Sequence, residues 1–230
     1  MSARLAAACA CTVLAAAGCG DAGGDGQGRA TLWVTRDRGE RVLHDVHVPA
    51  GLTAMQALER VAEVDTKYGG RFVVGIDGIR SASHRDWFYY VNGYLADRSA
   101  AEYRLRPGDV EWWDYRSWRN PAEDPVVVGA FPEPFVHGYA GKPRPTIVFG
   151  ARTPATRRIA RLVHARRIVE QYPRGAHGAN VLVLYSSSGT TFRVTSTTGA
   201  PGSPVVMRFW GNPDRLARDP HLARFQYSLP

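Results

Sequence analysis

Hydrophobic and polar residues alternate most clearly in two segments that are rich in aromatic side chains. The first, residues 86–93, reads DWFYYVNG, and the second, residues 106–115, reads RPGDVEWWDY. Aromatic and β-branched residues bounded by turn residues are typical of β-strands. Because side chains alternate along a strand, Trp87 and Tyr89 are expected on one face and Tyr90 on the other.

The second segment predicts the same alternation after an Arg-Pro-Gly-Asp turn. Trp112 is expected on one face of its strand, with Trp113 and Tyr115 on the opposite face. Between the two segments, Asn92 and Gly93 readily adopt the positive φ angles of a tight hairpin. The aromatic rings should therefore divide about equally between the two faces of a sheet.

The rest of the first half alternates in shorter runs. Strands are predicted at residues 30–36, 42–48 and 71–76, and a helix at residues 53–63. Thr53 is the expected N-cap, with Gln56 three residues later. Two strands, a helix and further strands follow one another in the order of a β-grasp, a sheet curled around one helix.

The second half begins with a proline-containing connection and then alternates again. Its candidate strands are residues 126–131, 146–149, 180–185, 191–195 and 205–210, with a weak one at 225–227. One helix is predicted over 154–171, with Thr153 as N-cap and Pro154 at the first helical position. The chain is therefore predicted as α+β, with a β-grasp domain at 30–118 and a second small α+β domain at 119–230.

The N-terminus has the composition of an export signal. A positively charged start precedes an apolar run that is shorter than the roughly 20 residues needed to cross a bilayer. The run ends in Ala-Ala-Gly before Cys19, which resembles the lipobox of bacterial lipoproteins, in which the cysteine is acylated. We expect a signal peptide at 1–18, a lipidated Cys19, a flexible tether at 19–29 and a location on the extracytoplasmic face of the cell membrane. Cleavage would remove Cys9 and Cys11 and leave no disulfide, and an ordinary secretion signal is the alternative.

An ordered series of short motifs runs through the first half. The series comprises PAGLTA at 49–54, IDGI at 76–79, WFYYVNG at 87–93, Tyr103, GDV at 108–110 and Trp112. In this order the motifs resemble the bacterial transcobalamin-like C-terminal domain, a family of the soluble ligand-binding β-grasp group, over about residues 30–118. Animal relatives of that family hold cobalamin between this domain and a helical barrel, which this sequence does not predict. The resemblance implies cobalamin or another corrinoid as the ligand.

The aromatic strands and their hairpin form the candidate ligand-binding site. Its residues are Trp87, Tyr89, Tyr90, Asn92, Gly93, Trp112, Trp113 and Tyr115. Trp and Tyr offer a large apolar area with a polar tip, which suits a planar ligand or a stacked carbohydrate. The alternative is that one aromatic face is core and the other supports a loop or the second domain.

Charge is unevenly distributed along the chain. The net charge is +8, with 12 Lys and Arg against 13 Asp and Glu at 30–118, but 15 against 6 at 119–230. One side of the predicted helix carries part of this excess, at Arg157, Arg158, Arg161 and His164. Such a surface could face anionic lipid or a cell-wall polymer, or it could be a solvated helix face. An exported protein is not expected to meet nucleic acid.

No arrangement of reactive side chains predicts an enzyme. His44 and His47 are expected on opposite faces of a strand, which does not suit a metal pair. The serines at 186–188 lack the Gly-x-Ser-x-Gly elbow of a nucleophile, and Glu111 and Asp114 also point to opposite faces. We therefore predict a non-enzymatic protein with no catalytic residue, metal or cofactor, which binds a small molecule and is attached to the membrane by its lipid. The alternative function is a lipid-anchored scaffold or docking module for a membrane transporter or an anionic cell-wall polymer.

Overall fold

Sheets dominate the fold, and three short α-helices accompany them in the part of the chain that is described. The computed structural model describes residues 28–120, 123–172, 175–176 and 178–228. The predicted signal peptide at 1–18 and Cys19 lie outside these residues. The protein is a mixed helix and sheet structure with several sheets, in agreement with the broad class that the sequence predicts.

The first half contains one helix and two sheets. In chain order its elements are β1 (Arg29–Arg36), β2 (Arg41–Pro49), α1 (Ala54–Glu59), β3 (Val64–Lys67), β4 (Phe72–Ile76), β5 (Ile79–Arg80), β6 (Arg85–Val91), β7 (Tyr94–Leu95) and β8 (Val110–Ser117). The larger sheet has the strand order β2-β1-β8-β6-β7, and β3-β4-β5 form a small sheet. Strand β1 is antiparallel to β2 and parallel to β8. The predicted strands at 30–36, 42–48 and 71–76 are confirmed.

Helix α1 begins at the predicted cap but is shorter than the pattern predicts. The Thr53 hydroxyl accepts a hydrogen bond from the Gln56 N–H (3.1 Å), and the Gln56 side chain accepts one from the Thr53 N–H (3.0 Å). This capping box satisfies two backbone donors at the start of the helix. Ala54 and Leu58 are fully buried in the core. The helix has only six residues because the chain then turns away to form β3, which pairs with β4.

The second half contains a third sheet and two α-helices. Its elements are β9 (Thr146–Phe149), α2 (Pro154–Leu162), β10 (Arg167–Val169), β11 (Asn180–Ser186), β12 (Thr191–Ser196), β13 (Val205–Gly211), α3 (Pro213–Arg218) and a 3₁₀ turn (Pro220–Ala223). The strand order is β10-β9-β11-β13-β12, with every pair parallel except β12 and β13. No helix in the described part of the chain has the length and apolarity needed to cross a membrane.

The helix predicted over 154–171 is wrong in its second half. Thr153 caps α2 as expected, since its hydroxyl accepts a hydrogen bond from the Thr156 N–H (3.1 Å). His164 then takes a left-handed conformation with φ +50°, which cannot continue a right-handed helix. Residues 167–169 form β10 at the edge of the sheet, parallel to β9.

The strands predicted at 126–131 and 225–227 are also wrong. Both segments are irregular, and one backbone hydrogen bond joins them, from the Val128 N–H to the Tyr227 carbonyl (2.8 Å). Val127, Ala130 and Tyr227 pack against the larger sheet, whereas Val126, Val128 and Phe131 are buried in the other core cluster. The hydrophobic pattern of a strand is therefore present without the hydrogen-bond ladder.

These two irregular segments cover one face of the larger sheet. The covered cluster consists of Trp33, Tyr90, Trp112, Val127, Ala130 and Tyr227. The rings meet edge-on, with the Trp112 centroid 5.4 Å from that of Tyr227 and 5.9 Å from that of Trp33. This face of the sheet is therefore core.

A buried carboxylate ties the covered face together. Asp114 accepts hydrogen bonds from the hydroxyls of Thr35 (2.6 Å) and Tyr227 (2.9 Å). It also accepts from the backbone N–H groups of Arg38 (3.1 Å) and Gly39 (3.2 Å). Burial raises the pKa of Asp114, while these four donors oppose that rise because they favour the ionised form. Two strands, a turn and the last described segment thus meet at a single side chain.

A histidine and a glutamate close the loop that follows the irregular segment 126–131. His137 Nδ1 lies 2.5 Å from Glu133 Oε1, and the His137 backbone N–H donates to Glu133 Oε2 (3.0 Å). The ring lies so close to Gly108 that a β-carbon there would be 2.5 Å from it. The hydrogen bond to Glu133 raises the pKa of His137, burial opposes the rise, and Asp109 adds to it.

We expect this contact to make stability depend on pH. A histidine with a raised folded-state pKa stabilises the fold fully below its unfolded pKa of about 6.5, and this stabilisation is lost as the pH rises through the folded pKa. Urea unfolding should therefore show a decline from about pH 6 to about pH 8 of at most about 1 kcal/mol, since the ring is partly exposed. The H137Q variant should show a flatter profile, and an equal decline in both proteins would contradict the assignment.

Candidate functional site

A cleft of about 730 Å³ opens beside β6 and β8 of the larger sheet, and its wall also includes Phe88 and Leu95, which pack against the covered cluster. We call it the aromatic cleft, and its apolar wall includes Met55, Tyr68, Phe72, Trp87, Tyr89 and Trp113. Polar groups in its wall include Arg71, Asp97, Arg98 and Ser99. This volume, with a mainly apolar wall and a few polar groups, is typical of sites for small molecules.

Two stacked rings on neighbouring strands form part of the cleft wall. The centroids of Tyr89 on β6 and Trp113 on β8 are 4.7 Å apart, with their planes at 19°. The Trp113 indole N–H donates to Glu111 Oε1 (2.6 Å), and the Tyr89 hydroxyl donates to the carbonyl of Arg98. Burial raises the pKa of Tyr89, and Tyr139 adds to the rise, so the phenol stays neutral at physiological pH. Both rings are therefore held in place without a ligand.

Two exposed rings stand at the same cleft. Tyr68 is 79% exposed and Phe72 is 46% exposed, and their centroids are 6.4 Å apart in an edge-on arrangement. Large exposed aromatic side chains that share a cavity mark an interaction site more often than scattered ones do. Neither residue is among the predicted site residues, because Tyr68-Gly69-Gly70 follows the predicted helix at 53–63 and has the composition of a helix stop. The available signal was an aromatic residue on each side of a Gly-Gly turn.

The predicted aromatic residues fall into three groups. Trp87, Tyr89 and Trp113 line the aromatic cleft, and Trp87 and Trp113 are also buried members of the main core, with 5% and 3% of their surface exposed. Tyr115 packs on Trp87 with ring centroids 5.3 Å apart, and its hydroxyl donates to the Arg80 carbonyl (2.9 Å). Tyr90 and Trp112 belong to the covered face and are fully buried. The structure therefore brings three of the six predicted rings to the cleft itself.

The hairpin residues Asn92 and Gly93 lie outside the cleft wall. The Asn92 side-chain amide donates to Asp109 Oδ1 (2.8 Å) and the Gly138 carbonyl (2.6 Å), and its oxygen accepts from the Val110 N–H (2.8 Å). Asn92 and Gly93 have φ angles of +51° and +82°, as a tight hairpin turn requires. The hydrogen-bonding capacity of Asn92 is used within the protein, so this residue anchors the turn.

A buried acid is hydrogen-bonded to the stacked rings, because Glu111 Oε1 accepts from the Trp113 indole N–H. Glu111 is fully buried, and its Oε2 has no hydrogen-bond partner within the described structure. Burial raises the pKa of Glu111 well above its usual range, which favours the neutral acid. Among the described residues no three His, Cys, Asp or Glu side chains are grouped so that they could hold a metal ion. The geometry of the cleft suits stacking against a flat apolar molecule.

The predicted basic residues lie together on the surface of the second half. Arg157, Arg158, Arg161 and His164 are exposed. Arg166 and Arg167 extend this group, which we call the basic surface, and a groove of about 340 Å³ runs along it. Within the described chain no carboxylate lies at ion-pair distance from these arginines, whereas Arg152 beside them pairs with Glu170 (3.9 Å).

The fold and the site thus define a sheet-rich protein with a ligand-sized aromatic cleft. Residues 51–117 match the family described as Domain of unknown function (DUF4430), which is associated with transcobalamin-like folds. A search of curated proteins finds no match.

Solved structures that are similar to part of the chain include the following two. Haptocorrin in complex with Cbi is similar over 40% of this chain and 26% of its own, with 14% identity and a TM-score of 0.33. A protein from Ruminococcus gnavus that is provisionally assigned to metal binding is similar over 40% of this chain and 99% of its own, also with 14% identity and a TM-score of 0.33. The chain therefore spans about a quarter of the length of haptocorrin.

Proposed function

We propose that this protein is a non-enzymatic binding protein that takes a small ligand with a flat apolar part into the aromatic cleft. The observation that carries the proposal is the combination of a fixed Tyr89–Trp113 stack with the exposed rings of Tyr68 and Phe72 around one cavity. Stacked and edge-on aromatic contacts stabilise a planar guest by about 0.5–1.5 kcal/mol each beyond the area that they bury.

The proposal also includes a β-grasp fold, a corrinoid ligand and a location at the cell membrane. A β-grasp arrangement of residues 30–118 is supported by the β1-β2 hairpin, the following helix and the parallel pairing of β1 with β8. Resemblance to the transcobalamin-like C-terminal domain makes a corrinoid the first ligand to test. The N-terminal sequence supports export and attachment to the extracytoplasmic face of the membrane through a lipid on Cys19.

Binding to the cleft is tested with N-phenylnaphthylamine, an uncharged aromatic dye whose emission rises when it leaves water. We expect saturable binding that weakens at least about tenfold in the Y68A/F72A double variant, because two ring contacts are lost. The matched control is Y172A, which removes a 46% exposed ring that does not line the cleft. Equal affinity in all three proteins, with unchanged circular dichroism, would contradict the proposal.

Cobalamin is then tested as a competitor of the dye. Displacement of the dye by cobalamin would support a corrinoid ligand. A lack of displacement up to about 100 μM, a limit that corresponds to only about −5.5 kcal/mol, would remove corrinoids while leaving the cleft as a binding site.

A second candidate function is docking to an anionic partner at the membrane, and it is favoured by the unpaired basic surface. Anionic lipid is the partner that a membrane-attached protein would meet most directly, and each Arg near such a surface contributes about 1 kcal/mol. Vesicles that contain phosphatidylglycerol should sediment the protein, whereas neutral phosphatidylcholine vesicles should not.

Replacing Arg157, Arg158 and Arg161 with glutamine should reduce this sedimentation at least about tenfold. The matched control replaces three exposed arginines elsewhere, Arg41, Arg60 and Arg193. An equal loss in both variants would indicate an effect of net charge alone, and binding that persists in high salt would exclude the electrostatic role.

A further inference from the structure

A second cleft, of about 480 Å³, adjoins the aromatic cleft. Asp97 and Arg98 line both clefts. The rest of the second wall comes from segments 139–145 and 201–202, which lie outside the residues that match the family. The second half of the chain therefore builds this cleft onto the first half.

Positive charge dominates the second cleft, which we call the cationic cleft. Its charged residues are Arg98, Lys142, Arg144 and Asp97. Asp97 is already engaged, because it accepts hydrogen bonds from Arg98 Nε (2.9 Å) and from the Tyr139 hydroxyl (2.7 Å). No carboxylate of the described residues lies at ion-pair distance from Lys142 or Arg144, so two positive charges are left without compensation in a concave surface.

The guanidinium of Arg144 is fixed in this cleft. Its Nε donates to the Gly202 carbonyl and its Nη1 donates to the Gly178 carbonyl (3.2 Å). Its Nη2 donates to no group of the described residues, so it remains available to a ligand. Pro143 and Pro145 flank Arg144 and restrict the backbone on both sides. A donor that is positioned in advance loses little conformational entropy when an anion binds.

We propose that the cationic cleft binds an oxyanion, a phosphate or carboxylate group, that belongs to the same molecule whose flat apolar part occupies the aromatic cleft. The inference rests on the proposed function, since it names the chemistry of the second half of that ligand. Guanidinium and ammonium groups are the side chains best suited to hold such an anion. Residues 139–145 and 201–202 thereby acquire a role, which is to select acidic ligands over neutral ones of the same shape.

The test compares two dyes that share one aromatic skeleton. N-phenylnaphthylamine is uncharged, whereas anilinonaphthalene sulfonate carries one anionic group. The full chain should bind the sulfonate at least about tenfold more tightly than the neutral dye. The K142A/R144Q variant should lose that preference and keep its affinity for the neutral dye. R193A, which removes an exposed arginine outside both clefts and the basic surface, should change neither affinity.

The outcomes separate this inference from the proposed function. If neither dye binds, the aromatic cleft is not a binding site and both proposals fail. If the neutral dye binds and the sulfonate shows no preference, or if K142A/R144Q retains the preference, the cationic cleft is not an anion site and only this inference fails. K142A alone provides a check on folding, because its side chain is exposed and makes no hydrogen bond or ion pair in the described structure.

Competition identifies the anion. Inorganic phosphate and acetate are each added to the sulfonate complex, with chloride at matched ionic strength as the reference. Displacement by phosphate alone indicates a phosphate ester, displacement by acetate alone indicates a carboxylate, and displacement by both indicates a general oxyanion site. A lack of displacement by either beyond that of chloride would overturn the assignment.

Discussion

Replacement of Trp112 with alanine is expected to lower the free energy of unfolding by about 3 to 5 kcal/mol, as is usual for removal of a large buried aromatic side chain. The indole is fully buried and contacts the rings of Trp33, Tyr90, Phe225 and Tyr227. Its N–H donates to the Thr35 hydroxyl (2.8 Å), so the substitution also removes a buried hydrogen bond.

Urea unfolding followed by far-ultraviolet circular dichroism measures this loss without depending on tryptophan emission. The exposed cleft residue Tyr68 provides the control, because Y68A should change stability by no more than about 0.5 kcal/mol. A loss below about 1 kcal/mol in W112A would mean that the chain does not cover this face of the sheet.

Replacement of Asp114 with alanine is expected to be comparably destabilising, by about 3 kcal/mol or more. Four donors lose their acceptor at once, and each buried donor without a partner costs about 1–3 kcal/mol, partly relieved by relaxation. D114N should be less destabilising, since the amide oxygen can still accept hydrogen bonds from some of the four donors.

A double-mutant cycle isolates the part of this effect that involves the last described segment. Y227F removes only the hydroxyl that lies 2.9 Å from Asp114 Oδ2. The coupling energy between Y227F and D114A should be about 1–2 kcal/mol, because the two groups share one hydrogen bond. Additive losses in urea unfolding would show that the bond does not contribute to stability.

Local pattern predicts the strands of the first half and the division of their rings, because alternation is a property of each strand alone. Trp112 and Trp113 are adjacent in sequence, and they point to opposite faces as expected. Residues 127, 130 and 227 determine which face is covered. They are distant from β8 in sequence, so the pattern within each strand cannot predict that they pack against it. The same limit explains why Tyr90 and Trp112 were candidates for a ligand site and are core residues in the structure.

Two predictions for the second half of the chain are wrong for a similar reason, since both depend on contacts between segments that are distant in sequence. The stretch 126–131 is irregular but buried, with its side chains divided between two core clusters, and apolar character by itself does not distinguish such a segment from a strand. The segment 154–171 has continuous amphipathic spacing, yet the left-handed conformation of His164 ends α2, and residues 167–169 pair with β9 instead. Helix α3 had a readable signal in Asn212-Pro213-Asp214, an N-cap followed by proline at the first position.

The cationic cleft is the part of the candidate site that could not be predicted from the sequence. The uneven charge of the two halves is visible in the sequence, and it directs attention to the helix with three arginines. Lys142 and Arg144 stand in a proline-rich stretch without periodicity, so nothing local marks them. Their relation to Arg98 arises only when the two halves pack together.

The cover of the aromatic face also bears on how the chain matures. Residues 225–227 are synthesised long after Trp112, so Trp33, Tyr90 and Trp112 remain partly uncovered until that segment has left the ribosome. A nascent chain with unshielded indole and phenol rings is a natural client for chaperones. The larger sheet therefore cannot complete its packing cotranslationally before the last described segment is made.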